Sequence, residues 1–556
     1  MDKNQKKEKD FFQKKPLSFW VLIIVVSILL LFSLSKIGTV TLWGDESYRA
    51  MIAQSTLLNG YPTHWSGFQY TVGVDEKFLS HLFPGKYVEI SSWFQYYIIA
   101  LSYKLFGINT FTTRLPFFIG GLLIVYTLYK YRNFFQKKDK VFTLTSIMLL
   151  LNFTFFIYVQ QANYYIYALL FTLLSSFLFF DIFNNKKPYP IPKLFILFLV
   201  NLLLAHTHIP TAVTLFIVQS GFIAQSLLKK SMKIRIVAGT YLLFSAIFLF
   251  LSVKLYSSSD ALTLGKYFWI SIVIFLNQLN FYIFPFIALI FLVFVGIRFR
   301  DKIMGKKWLL YVTLVTVLHI LLISYFNFVG AMPFRYISSY MVLWFISLAV
   351  VISSVPRIYA IVLFLFVVSI NIFTGISKLS TFVFIPKPLI DMVKREMPTI
   401  PLISEYPVRC YYCEFLGEIT NSSPHPLSNV IQVLNLLDVK KKKIIVGPCE
   451  GNTIMFYTGG IVIDQMPKIL YEKIYKKAYE ITDADVIVNN AFCPWELDHK
   501  KTIAMGYKFQ TIALSQKAFI HDGELNVRSK FVYPFAPYAI IYYKDHAVNS
   551  DIFLQN

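Results

Sequence analysis

Asp45 and Glu46 are adjacent carboxylates in Trp43-Gly44-Asp45-Glu46-Ser47-Tyr48-Arg49, a few residues beyond an uninterrupted apolar run from Leu17 to Leu34. Carboxylates beside a bilayer are costly and are rarely kept without a task. One such group can take a proton from a hydroxyl while its neighbour orients the hydroxyl that loses it. The polar stretch that follows carries His64, Asp75, Glu76, His81, Lys86 and Glu89, all suited to acid–base work or to binding charge. Taken singly, each of these also reads as a solvated loop side chain. Asp45 and Glu46 differ because Trp43 and Tyr48 flank them with amphipathic rings that favour a membrane–water boundary.

The elements that must position this pair are membrane helices. Of 556 residues, 56% are hydrophobic, 18% aromatic and only 15% charged, far from the composition of a soluble globular chain. The net charge of +23 does not point to nucleic acid, because the basic residues fall in short clusters between apolar runs, where they orient membrane segments. Met1 to Lys15 is a lysine-rich leader. The run behind it is too long for the h-region of a signal peptide and no small-residue cleavage site follows, so it reads as an uncleaved first helix with a cytoplasmic N-terminus.

Basic clusters at Lys130 to Lys140, Lys186 to Lys193, Lys229 to Arg235, Arg298 to Lys307 and Arg357 alternate with loops poor in charge. Placing the clusters in the cytoplasm gives eleven spans, near residues 17–36, 114–131, 141–159, 165–183, 193–206, 211–228, 236–254, 278–297, 308–325, 337–354 and 357–375. The run from Tyr267 to Gln278 reads either as a helix in the outer interface or as two extra half-spans, so the count is about 11–13 and stays odd. An odd count puts everything after the last span outside the cell membrane.

From about Lys378 the long apolar runs stop and charges, Pro and Cys rise. Short β-like runs at Lys443 to Val446, Ile461 to Ile463, Asp485 to Val488, Phe509 to Ala513 and Tyr538 to Tyr543 alternate with a helical pattern from Pro467 to Tyr479. The expected architecture is a polytopic α-helical membrane domain over 1–377, with its first outer loop at 37–113, and an extracytoplasmic α/β domain over 378–556. All four cysteines, Cys410, Cys413, Cys449 and Cys493, lie in that domain. They read as up to two disulfides, with three possible connectivities, as a four-thiolate zinc site, or as free thiols.

Further phrases carry a family resemblance. A Tyr-rich stretch from Trp93 ends in Lys104-Leu105-Phe106-Gly107, and Arg114-Leu115-Pro116 opens the second span. Gln161-Ala162-Asn163-Tyr164-Tyr165 with Ala168-Leu169, then His206, then Pro333-Phe334-Arg335-Tyr336 follow in order. With the acidic pair, these resemble the GT-C glycosyltransferases that use a polyprenyl-phosphate sugar, the group holding the protein O-mannosyltransferases and the lipid A aminoarabinose transferases. The resemblance covers roughly residues 40 to 345. It departs at Ser91-Ser92-Trp93, where many relatives have Lys-Pro-Pro, and at Asn163, where an arginine is usual.

The resemblance implies transfer of a sugar, of hexosyl, mannosyl-type or pentosyl class, from a polyprenyl-phosphate donor to an acceptor hydroxyl on the outer face of the membrane. Asp45 is then the general base, with Glu46 orienting the acceptor or sharing the role, and direct displacement inverts the anomeric centre. Arg335 and Arg114 are the candidate donor-phosphate contacts, with Lys86 third as a substitute for the missing lysine. Glu89, Tyr165 and His206 are candidate substrate contacts, whereas His208 and His319 read as hydrogen-bonded structural histidines. No metal is required, because a single leaving phosphate can be neutralised by arginines, although the acidic loop could bind a divalent cation. The acceptor is a protein, a lipid or a glycan. Two rivals from other classes stand beside this reading: a flippase or transporter of lipid-linked glycans, and an inactive membrane anchor for an outer binding module. Ionisable groups are nearly absent from the middle of the spans, which counts against an ion-coupled transporter.

Overall fold

The computed structural model of the protein describes residues 16–34, 37–65, 70–71, 88–89, 92–183, 191–227, 232–256, 268–303, 305–325, 334–372, 377, 379, 387–388, 391, 395, 427–447, 451–466, 468–478, 480–490, 497–514 and 538–545. The chain forms two compact units. The first comprises Met1–Ser35, Phe117–Gln160 and Tyr164–Gly417, and the second Lys36–Pro116, Gln161–Asn163 and Glu418–Asn556.

The first unit is helical and apolar. Among the described residues, four helices are long and apolar enough to cross a bilayer, two bent pairs qualify as broken spans or re-entrant loops, and there are five shorter apolar helices. The eleven expected spans fall on these helices, but five lie on the shorter ones. That expected at 141–159 is bent by 73°, and that expected at 278–297 begins inside helix Phe268–Tyr282 and crosses an 83° turn. The run from Tyr267 is resolved as helix Phe268–Tyr282, which turns by 83° into Phe286–Arg298.

Both bends have local causes. A helix broken in a water-poor environment leaves backbone groups that must be satisfied internally. At the 73° break between Lys138–Leu150 and Phe153–Gln160, Asn152 Oδ1 accepts from the Phe155 amide at 3.2 Å while its Nδ2 donates to the Tyr282 carbonyl at 3.0 Å. At the second break Pro285 precedes the new helix, and the Phe286 amide donates to Asn280 Oδ1 at 2.8 Å. Polar side chains also tie helices together: Ser175 donates to Asn201 at 2.6 Å, Gln219 donates to Ser175 at 2.9 Å, and Asn201 donates to Tyr241 at 3.0 Å.

Close helix contact depends on Gly121. A Cβ there would lie 2.6 Å from Val159 Cγ2 and 3.2 Å from Cγ1, against a β-branched side chain with little rotamer freedom. Gly121→Ala is expected to cost about 1–3 kcal/mol by overpacking. A thermal midpoint in detergent that does not fall would show that this contact is not tight.

In the second unit, a five-stranded sheet has the order β2-β1-β3-β5-β4, with β1 Lys443–Ile445, β2 Ile461–Val462, β3 Val486–Asn490, β4 Lys508–Ala513 and β5 Tyr538–Tyr543. These strands stand where the apolar runs put them. β1 pairs in parallel with β2 and β3, β5 runs antiparallel between β3 and β4, and helix Gly451–Thr458 forms the crossover from β1 to β2.

Alternate residues of the central strands enter opposite cores. Ile444, Val486, Val488 and Ile541 face one; Ile445, Ile487 and Tyr542 face the other. Burial on both faces explains why these strands are apolar throughout. The first polar loop contributes to both cores, Met51 to the former and Tyr70 to the latter.

Asp464, just past β2, accepts from the Val446 amide at 3.3 Å and the Gly447 amide at 2.9 Å, joining the ends of β1 and β2. Burial pushes its carboxyl up to about 6 from an ordinary 3.8, with the two amides opposing. The folded state therefore holds the proton more tightly, so this group's stabilising contribution is full below pH 3.8 and is lost as pH rises through about 6. The loss amounts to about 2–3 kcal/mol. Hydrogen-exchange protection of β3 should fall between pH 4 and 6 in the wild type, and the fall should be flatter in Asp464→Asn. Identical slopes would contradict this assignment.

Candidate active site

The acidic pair lies in the first turn of helix Gly44–Asn59. Trp43 is extended ahead of it, and two carboxylates at a helix N-terminus complement the backbone dipole. The helix ends at Gly60, whose φ of 79° suits a residue without Cβ and whose amide caps the Thr56 carbonyl at 2.9 Å.

The two carboxylates sit in opposite environments. Glu46 is fully buried and surrounded by donors. Arg114 Nε reaches its Oε1 at 2.8 Å and Nη2 its Oε2 at 2.6 Å, a bidentate pair. The Ala162 amide donates to Oε1 at 2.6 Å and the Trp43 amide to Oε2 at 3.4 Å. Arg114 uses its remaining donors on backbone: Nη1 reaches the Val40 carbonyl at 2.6 Å and the Ile37 carbonyl at 3.3 Å, and Nη2 the Thr41 carbonyl at 3.2 Å. All five N–H groups of the guanidinium are thereby engaged.

Asp45, by contrast, keeps 40% of its side chain exposed. Arg49, one helical turn on, places Nη1 3.6 Å from Asp45 Oδ2 and 2.6 Å from its carbonyl oxygen, while Arg49 Nε donates to Gln95 Oε1 at 2.9 Å. Asp45 is thus the accessible carboxylate of the pair, held near a cation that is itself fixed. Arg49 and Gln95 were not among the sequence candidates; the i,i+4 spacing from Asp45 to Arg49 was a readable signal.

Glu89 is buried in the same unit. It accepts from Tyr48 Oη and lies 3.1 Å from His64 Nε2, and the Thr63–Val88 bridge aligns the two backbone segments. Its carbonyl accepts from Trp93 Nε1 at 2.5 Å. Burial, and after it the Glu89 charge, holds the Tyr48 phenol well above its ordinary range, so it stays a donor. His64 Nδ1 finds no hydrogen-bond partner among the described residues.

Of the predicted site residues, the second unit brings together Asp45, Glu46, Arg114 and Glu89. Tyr165, His206 and Arg335 belong to the first unit. There the Tyr165 ring is buried 4.6 Å from that of Tyr164 and 4.9 Å from that of Tyr158. His206 is half-buried with its ring 5.8 Å from Phe248. Arg335 is half-buried in a 3-10 turn, its guanidinium 5.5 Å from the Tyr336 ring. His208 Nδ1 is 2.6 Å from Thr211 Oγ1, and His319 is held at both nitrogens, by Thr214 at 3.0 Å and the Tyr336 carbonyl at 2.8 Å. Lys86 and all four cysteines, Cys410, Cys413, Cys449 and Cys493, lie outside the described residues, as do Asp75, Glu76 and His81. Among the described residues, no three His, Cys, Asp or Glu side chains lie together as a metal site.

No protein-family model matches the chain, and no curated protein matches its sequence. Its structure is similar to ArnT from Cupriavidus metallidurans. The apo state superposes with a TM-score of 0.53 at 12% identity, covering 95% of this chain and 99% of ArnT. The form bound to undecaprenyl phosphate gives 0.50 at 11% identity, covering 96% and 99%. An Archaeoglobus fulgidus oligosaccharyltransferase tethered to an acceptor peptide gives 0.44 at 10% identity, covering 86% of this chain and 69% of its own. The ArnT likeness spans the membrane helices and the C-terminal α/β domain alike. The chain has a GT-C-like fold.

Proposed function

We propose that this protein is a membrane glycosyltransferase that moves a sugar from a polyprenyl-phosphate donor to an acceptor hydroxyl at the outer face of the membrane. The observation that carries the reading is the division of labour in the acidic pair: Asp45 accessible beside a fixed arginine, Glu46 buried and saturated with donors. Only an accessible carboxylate can meet a hydroxyl.

In this reading Asp45 accepts the acceptor's proton as the oxygen attacks the anomeric carbon. The bond from that carbon to the phosphate oxygen breaks, polyprenyl phosphate leaves with the electron pair, and the centre inverts. Glu46 and Arg114 are positioning residues: each satisfies the other, and together they fix the chain on both sides of Asp45. Arg114 has no donor left over for a phosphate, so among the candidate cations Arg335 and Lys86 are the proposed phosphate contacts. Glu89, Tyr165 and His206 remain the proposed substrate contacts. The leaving group carries one phosphate, so no metal is needed.

The fold shared with ArnT, a protein with an undecaprenyl-phosphate-bound state, supports a lipid-phosphate donor. Purified protein offered a panel of polyprenyl-phosphate sugars should release polyprenyl phosphate from at least one in an acceptor-dependent manner. No release from any of them, with lipid-linked glycan moving between leaflets of reconstituted vesicles, would overturn the reading in favour of a flippase.

A further inference from the structure

The C-terminal α/β domain and the first polar loop belong to one compact unit and share both of its cores. Their polar contacts converge on residues 41–47, the segment that carries the acidic pair. Tyr457 Oη accepts from the Leu42 amide at 2.8 Å and shares a hydrogen bond with Thr110 Oγ1 at 2.7 Å. One phenol oxygen thereby joins the segment before Asp45 to the first turn of the helix that carries Arg114. Thr453 Oγ1, one turn earlier on helix Gly451–Thr458, shares a hydrogen bond with Ser47 Oγ at 2.8 Å and donates to the Leu42 carbonyl at 3.4 Å. Thr41 Oγ1 meets Ser428 Oγ at 3.1 Å.

From this geometry we infer that the C-terminal domain is part of the catalytic scaffold, and that Tyr457 and Thr453 are positioning residues for the Asp45–Glu46 pair. Leu42 is held at its amide by Tyr457 and at its carbonyl by Thr453. The Val40 and Thr41 carbonyls are held by Arg114. Residues 40–42 thus have backbone partners from the C-terminal domain and from the second-span arginine. Met51 anchors the far side of the Gly44–Asn59 helix in the sheet's core. The carboxylates ride between these two anchorages. Burial raises the Tyr457 phenol above its ordinary range, against the opposing effect of Arg114 and of its two hydrogen-bond partners, so the hydroxyl persists through the neutral pH range. An α/β module that only recruited a partner would have no need of hydroxyls directed at the loop backbone.

This inference rests on the glycosyltransferase reading for its catalytic half, and its test separates the two. In the full-length protein, Tyr457→Phe and Thr453→Val remove single hydroxyls, and Thr453→Ser restores one. Deuterium exchange is read on the peptide over residues 40–50 and, as an internal reference, on 486–490. Loss of one hydrogen bond should speed exchange over 40–50 by about three- to tenfold while 486–490 is unchanged. The donor turnover number should fall several-fold with KM within about twofold, and Thr453→Ser should recover both. Unchanged exchange over 40–50, or an equal rise in both peptides, would overturn the positioning role. So would faster exchange with an unaltered turnover number. A wild type without turnover on any donor would instead remove the glycosyltransferase reading, and the exchange data would still decide whether the domain clamps the segment.

Discussion

Asp45→Asn should lower the turnover number by about 10²–10⁴, the usual worth of a positioned general base. The substitution is nearly isosteric and removes the negative charge and with it the capacity to accept a proton. Its structural cost is small, because a partly exposed ion pair such as Asp45 with Arg49 is worth at most about 1 kcal/mol. Unfolding should therefore move little while activity collapses. Donor affinity should be retained, since the missing proton acceptor acts in the transition state and not in the ground-state complex. A variant with near-wild-type turnover would exclude Asp45 as the base and leave Glu46, which is sealed from solvent, as an implausible substitute.

The second large effect concerns stability. Arg114→Met strips a fully buried carboxylate of its bidentate partner and leaves the Ile37, Val40 and Thr41 carbonyls without their donor. Removing one member of a buried pair costs about 3–5 kcal/mol, because the survivor is an uncompensated charge. Glu46→Gln with Arg114→Met should cost clearly less than the sum of the two single changes, since it removes both charges. The coupling is measurable by pulse proteolysis or by denaturant midpoints in detergent, within a double-mutant cycle. Additive losses would show that the pair does not act as a unit.

Much of the scaffold was legible in the sequence because it is written in local patterns. Apolar runs bounded by basic clusters located the spans, and β-branched apolar runs such as Lys443 to Val446 located the strands. Pro285 stands at the second helix break yet lies inside the run read as one span over 278–297, and Asn152 carried no breaking signal at all, since its effect depends on reaching the Tyr282 carbonyl in another helix. Adjacency of two carboxylates singled out Asp45 and Glu46.

Their opposite environments were not legible. Burial decides them, and burial follows from partners 68 residues away at Arg114 and 116 away at Ala162. For the same reason the sequence offered Arg114 as a phosphate ligand. A guanidinium at an outer boundary suits either task, and only the count of its acceptors distinguishes them. Tyr457 lies 415 residues from the Leu42 amide it accepts from, so no local pattern could join them. The side-chain hydroxyls that grip the acidic segment looked like ordinary helix residues of a remote domain.

The most direct test of the chemistry is the anomeric configuration of the product, read by nuclear magnetic resonance on material made by the wild-type protein from a donor of known configuration. A single displacement with Asp45 as base predicts an inverted centre. A retained centre would require a covalent glycosyl-carboxylate intermediate and would contradict the role given to Asp45.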